Sequence, residues 1–169
     1  MAKLSTAAKR LLSGGTIAIF CDQQTANTAA QSTTVSPTAP AALRFNTTLV
    51  NTITGCSLAS NQITLPAGRY HTDFFVYALN NVKAYAELYN VTDSAVQTSL
   101  SGEAIRAMHG GANSTSGTSE IHTESVFEIS AQKVFEVRAC TNTSSTYGAP
   151  MNLDSKAERY QHITFTQVY

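Results

Sequence analysis

The stretch from Asn61 to Leu79, NQITLPAGRYHTDFFVYAL, constrains this chain most. It reads as a short strand over Gln62–Leu65, a Pro66-Ala67-Gly68 turn, and a long strand over Arg69–Leu79. Pro66 fixes its own φ, and Gly68 is expected to supply the positive φ the turn needs. Side chains alternate across a strand, so Tyr70, Phe74, Val76 and Ala78 share one side and Phe75, Tyr77 and Leu79 the other. A sheet with one wet face alternates apolar with polar residues. This strand is apolar on both sides. One side suits the core of a sandwich. The other side calls for a second cover, and a further copy of the chain can provide it.

Further strands are expected at Thr16–Cys21, Leu43–Leu49, Gly55–Ala59, Val82–Val91, Val96–Leu100, Ile105–Met108, Ser119–Ser130, Lys133–Thr141 and Arg159–Val168. Asn80-Asn81 has the chemistry of a two-residue hairpin turn, and Ala131-Gln132 is read as joining another strand pair. In Val82–Val91, the small residues Val82, Ala84, Ala86 and Leu88 fit a core. Tyr85, Glu87 and Tyr89 point away from it. Tyr85 and Tyr89 are expected to form one aromatic patch with Phe75 and Tyr77, at a subunit interface around a threefold axis. The other reading is an ordinary half-exposed tyrosine face.

The segment Phe45, Asn46, Asn51, Gly55, Ile63, Pro66, Gly68 and Tyr70, closed by Ile163 and Phe165, resembles the globular heads of the C1q and tumour necrosis factor type. The likeness spans about residues 15–169. It departs at Thr72, where the family often carries Phe. The resemblance implies an all-β fold, an antiparallel jelly-roll sandwich of ten strands assembled as a homotrimer. The family's heads perform many unrelated jobs, so the resemblance speaks to fold more than to function.

Two segments lie outside this frame. Residues 1–15 can form a short helical arm, capped by Ser5 or Thr6 and stopped at Gly14-Gly15. Leu4, Ala8, Leu11 and Leu12 make an apolar stripe on it. A helix this short is marginal alone and is expected to dock, so residues 1–15 are read as an attachment arm and 16–169 as the jelly-roll domain. Residues 23–41 form a long polar loop rich in Gln, Thr, Ala and Ser, of the length that usually serves a function.

Charged residues are only 13% of the chain against ~25% in ordinary domains, and Ser, Thr, Asn and Gln make up about a third. Net charge is zero, with Lys and Arg scattered, so no footprint for nucleic acid is visible. No run approaches the ~20 apolar residues of a membrane span. Met1–Gly15 lacks the apolar run of a signal peptide, which fits synthesis in a host cytoplasm. Cys21, Cys56 and Cys140 are odd in number and widely spaced, and read as buried strand residues.

Catalytic and cofactor motifs are scarce. His71, His109, His122 and His162 show no metal-ligand spacing, although a trimer could gather three copies of one His around its axis. Glu87, Glu124, Glu128 and Glu136 could pair as glycosidase carboxylates, but are expected to bridge to Lys83, Lys133 and Arg138 instead. The expectation is a non-enzymatic protein with no cofactor. In its sharpest form this is a virion protein of a tailed phage, on the capsid surface, partnering the major capsid protein or another virion protein as a decoration or cement trimer. No shaft of heptads or Gly-X-Y repeats is visible, which favours decoration over a fibre tip. The alternative is a receptor-binding head that takes a host surface glycan on the loops at 110–118 and 142–155.

Overall fold

The computed structural model describes residues 16–28, 39–79, 83–109, 118–141 and 155–168. The arm residues Leu4, Ala8, Leu11 and Leu12, most of the polar loop, both apical loops, and the side chains of Ala78, Leu79, Val82 and His109 lie outside the described residues.

Among the described residues, twelve strands run in chain order: β1 (Ile17–Gln24), β2 (Ala41–Ala42), β3 (Thr47–Asn51), β4 (Ser57–Ala59), β5 (Gln62–Leu65), β6 (Gly68–Leu79), β7 (Ala84–Asn90), β8 (Ala95–Val96), β9 (Arg106–His109), β10 (Thr118–Ile129), β11 (Lys133–Thr141) and β12 (Glu158–Val168). Every pairing is antiparallel. One sheet has the order β10-β6-β12-β1-β3. The other has the order β4-β5-β11-β7-β8, with β2 beside β11 and β9 beside β7. This is the jelly-roll sandwich expected from the sequence. No helix occurs among the described residues. The excess over ten strands comes from pieces as short as β2 and β8, two residues each.

Between the sheets lies one continuous apolar core. Tyr70, Phe74 and Val76 of β6 belong to it together with Ala86 and Leu88 of β7 and with Phe20, Phe127, Phe135, Ile163 and Phe165. Rings of Tyr70 and Phe165 stand edge-on at 6.4 Å, as do those of Phe127 and Phe165 at 6.3 Å, an arrangement aromatic quadrupoles favour. Cys21, Cys56 and Cys140 are buried and unbridged, as their spacing suggested.

Three short connections differ from expectation in one way. The β5–β6, β6–β7 and β10–β11 links each carry the chain from one sheet to the other. Ala131-Gln132 therefore closes no hairpin, because β10 and β11 do not pair, while Asn80-Asn81 lies outside the described residues. Gly68 has the positive φ expected of it, 159°. It also provides space, since a Cβ there would lie 2.9 Å from Gln167 Nε2 and 3.2 Å from the Tyr70 hydroxyl. That hydroxyl donates to the Pro66 carbonyl at 2.8 Å and ties the crossing down. The left-handed turn sits upstream, at Ser60 and Asn61, whose φ values of 51° and 67° suit the two central residues of a tight β4–β5 hairpin.

The expected strand Leu43–Leu49 is broken in two. Leu43 donates to Val137 in one sheet, and Asn46 donates to Cys21 in the other. The segment is crossing between layers, so it cannot be one strand. Asn46 fixes the crossing, accepting from Gln23 N at 2.9 Å and donating to Gln23 O at 3.0 Å. Expected strand Val96–Leu100 shrinks likewise to β8, after which a tight excursion through Gly102 returns the chain to β9.

Candidate functional site

The two outer faces of the sandwich differ in chemistry. On β6, the residues between the buried Tyr70, Thr72, Phe74 and Val76 point outward: Arg69, His71, Asp73, Phe75 and Tyr77. Register places Glu128, Val126, Glu124, His122 and Glu120 of β10 opposite them in that order. On the other flank, His162 of β12 lies opposite Phe75. Bonds run diagonally across these rows. His71 Nε2 meets Glu124 Oε1 at 2.6 Å, and His122 Nε2 meets Asp73 Oδ1 at 2.8 Å. An ionised carboxylate can only accept, so each imidazole turns an N–H toward its acid. Arg69 closes the row on Glu128 at 2.9 Å.

Phe75 is the centre of this face. His122 stacks on it at 4.1 Å with planes 6° apart, and His162 covers its other flank at 4.7 Å. Burial against these rings pulls the His162 pKa below its ordinary value. Asp73 and Glu120 pull it back up, and His122 reinforces the drop. Tyr77 stands at the rim, 36% exposed, and Val50 of β3 adds an exposed apolar side chain to the same sheet.

The other sheet carries Tyr85, Glu87 and Tyr89 outward, as the alternation of β7 requires. Both rings are already occupied. The Arg106 guanidinium lies 4.7 Å from the centroid of Tyr85, and that of Arg138 lies 3.4 Å from the centroid of Tyr89. Glu87 sits between Arg138 and Arg106 in register, only 3% exposed, and accepts two hydrogen bonds from Arg106. Glu136 accepts from Arg138 and from Gln62, each at 2.9 Å. Burial is the first cause that raises the Tyr85 pKa.

The expected single patch of Phe75, Tyr77, Tyr85 and Tyr89 is thus corrected. β6 and β7 belong to opposite sheets, so the two pairs look out from opposite sides of the molecule. The expected acid partners change as well. Glu136 does pair with Arg138, but Glu87 takes Arg106, Glu124 takes His71 and Glu128 takes Arg69. Lys133 serves Asp93 instead. Reading β6 as apolar on both sides missed His71 and Asp73. The period-two signal was there, since both alternate with Tyr70, Thr72 and Phe74.

A third feature lies at the lateral edge. A cleft of about 400 Å³ opens between the 99–105 excursion and β10. Ser99, Ser101, Thr123 and Ser125 line it with hydroxyl-bearing side chains, and Glu103 and Glu124 with carboxylates. Leu100 projects beside it, 54% exposed, with its backbone N–H bound to the Val126 carbonyl at 2.8 Å. Among the described residues, no group of three or more His, Cys, Asp or Glu is placed to hold a metal ion.

No family model matches the chain, and no curated protein matches it. Solved structures do match in fold. Murine APRIL aligns with a TM-score of 0.56 at 8% identity, covering 92% of this chain and 100% of that one. Eiger TNF from S. frugiperda aligns with a TM-score of 0.55 at 10% identity, covering 92% of this chain and 93% of that one. At such identities the likeness is one of fold: a TNF-like jelly roll across nearly the whole chain.

Proposed function

We propose that this protein is a non-enzymatic module that works as a homotrimer. The observation that carries the reading is the pair of unlike apolar features on one molecule. One is the Phe75–Tyr77 face of the five-stranded sheet, and the other is the projecting Leu100 at the sandwich edge. Joining a face on one copy to an edge on the next is a heterologous contact, which gives a ring where the rotation between copies closes and an open filament where it does not. Three subunits make the smallest such ring, and the TNF-like fold supports that number. Light scattering at micromolar concentration tests it. The expected mass is three chains, and a monodisperse monomer overturns the assembly.

In the same reading the trimer decorates a virion shell, held to the major capsid protein or a neighbouring virion protein through residues 1–15 and the 23–41 loop. The low-charge, Thr-rich composition and the apolar stripe Leu4, Ala8, Leu11 and Leu12 support this role. Removing residues 1–13 is expected to leave the jelly roll folded and trimeric but to abolish binding to the shell. Full occupancy by the truncated protein overturns the anchor.

The cleft beside β10 favours a second reading, a head that binds a host surface glycan, because hydroxyls and carboxylates are what sugar hydroxyls pair with. Particles stripped of the protein separate the two. Loss of genome at lower temperature supports decoration. Unchanged robustness with lost adsorption to cells supports the glycan head.

A further inference from the structure

We propose that residues 1–15 fold back onto the outer face of their own five-stranded sheet, laid across the strands from β1 to β10 over the rows of His71 and Asp73. The inference goes beyond the trimer and shell readings, since it gives the arm a resting place in the free protein.

Charge names the occupant. Along β6 and β10 the outward acids Asp73, Glu120, Glu124 and Glu128 stand against one permanent cation, Arg69. The arm has the opposite character. Lys3, Lys9 and Arg10 are three of the chain's eleven Lys and Arg residues, and none of its eleven acids precedes Asp22. The eight cations beyond the arm therefore face eleven acids, and the arm carries the three positive charges that bring the whole chain to zero. Opposite charges brought together at a partly dried surface attract more strongly than in open water.

Position agrees with charge. The arm runs directly into β1, and register sets Ile17 beside Thr166, Thr166 beside His71, and His71 beside Val126 in one row. The next row begins at Val50 and Ile19 and ends at Asp73 and Glu124. Its β1 end is apolar. Ile17 and Ile19 alternate with the buried Ala18 and Phe20 and stay half-buried on the outer face, and Val50 is exposed. The chain thus enters the sheet at the apolar end of a surface that finishes in acid.

The lengths match. Strands lie ~4.8 Å apart, so the three spacings from β1 to β10 make ~14 Å. A helix rises ~1.5 Å per residue, which puts Leu4 and Leu12 ~12 Å apart. Ser13-Gly14-Gly15 supplies up to ~10 Å of chain for the reversal. Leu11 and Leu12 then meet Ile17 and Ile19, the small Ala8 crosses β12, and Leu4 arrives at the half-buried Val126. Lys9 and Arg10 flank the stripe within reach of Asp73, and Lys3 within reach of Glu124. A helix this short takes its stability from the face it packs on. The Phe75 and Tyr77 rows beyond stay open to the next copy.

Hydrogen–deuterium exchange of the full chain tests the placement. Amides of residues 5–12 are expected to exchange at least about tenfold more slowly than in a free peptide of the same sequence. The double variant Asp73→Asn/Glu124→Gln keeps the shape of both acids and should lose most of that protection. Should the variant fail to fold, the wild type in about 1 M salt should lose it several-fold, because salt screens exposed charges. Arm amides exchanging at the free-peptide rate overturn the proposal, and so does protection that survives both the variant and the salt. Carbodiimide coupling of assemblies refolded from isotopically light and heavy chains identifies the owner of the face. Lys3 or Lys9 joined to Asp73 or Glu124 of like label supports the fold-back, and joined only to unlike label overturns it. A monomer in light scattering overturns the trimer alone, because the fold-back involves one chain.

Discussion

Arg44 holds Asp22 in two parallel hydrogen bonds, Nε to Oδ1 at 2.9 Å and Nη2 to Oδ2 at 3.1 Å, and Asp22 is fully buried beneath it. Gln161 braces the pair by donating to the Arg44 carbonyl at 2.7 Å. The site lies where the chain leaves β2 in one sheet for β3 in the other, so the ion pair pins a crossing that carries little strand ladder of its own. Arg44→Met is expected to cost about 3–5 kcal/mol, because it strands a buried carboxylate. The double variant Asp22→Leu/Arg44→Met is expected to recover most of that loss, since it removes the orphan charge as well. Urea midpoints of the wild type and the two variants check both outcomes. Equal stability of single and double variants would show that packing of the Arg44 stem, and not its charge, holds the crossing.

Thr72 offers a gain. It is fully buried among Tyr70, Phe74 and Val76, and its hydroxyl finds no hydrogen-bond partner among the described residues. The likeness to C1q and TNF heads breaks at this same position. A buried hydroxyl left unpaired costs about 1–3 kcal/mol. Thr72→Val keeps the branched shape and is expected to raise stability by about 1 kcal/mol, visible as a higher urea midpoint with an unchanged slope. A loss of stability would mean that the hydroxyl has a partner, such as a buried water.

Cys56 sets an alkaline limit. Burial pushes its thiol from the ordinary 9.0 up to about 11. A folded-state pKa above the unfolded one means that this contribution is intact below pH 9 and is lost as pH rises through about 11. The wild type should therefore weaken between pH 9 and 11. Cys56→Ala should be less stable at pH 7 but should lose less over that alkaline window. Parallel slopes for the two proteins would show that other groups govern the alkaline side.

The strands and their inward faces were legible because period-two alternation reports which residues seek the core. β5 and β11 were read to the residue, and Tyr70, Phe74 and Val76 were placed inward correctly. The partner of each strand was not legible. Asn80-Asn81 has the local chemistry of a hairpin, yet β6 pairs with β10 and β12, up to about a hundred residues away by sequence number. Nothing local encodes that choice, because short links between sheets and short links within a sheet draw on the same turn residues. The same gap hid the functional faces. Without knowing that β6 and β7 lie in different sheets, Phe75 and Tyr85 look like neighbours. The cations over Tyr85 and Tyr89 come from β9 and β11, and only the register shows that they arrive there.

The split between the faces gives the most direct test of the assembly. Phe75 and Tyr77 are proposed to meet another copy, whereas Tyr85 and Tyr89 are stacked under their own molecule's Arg106 and Arg138. Burying an aromatic side chain is worth about 1.5–3 kcal/mol. His122 and His162 already cover part of the Phe75 ring, so Phe75→Ala should weaken association by less than the full value, up to about tenfold, and Tyr77→Ala, at the rim, should weaken it too. Tyr89→Ala breaks a cation–π contact worth about 0.5–2 kcal/mol to the fold. It should lower the urea midpoint and leave the association constant unchanged. Sedimentation of the three variants beside the wild type reads both quantities on the same samples. If Tyr89→Ala dissociates the assembly while Phe75→Ala spares it, the subunits meet through the seven-stranded sheet, and the arginines over Tyr85 and Tyr89 belong to the interface.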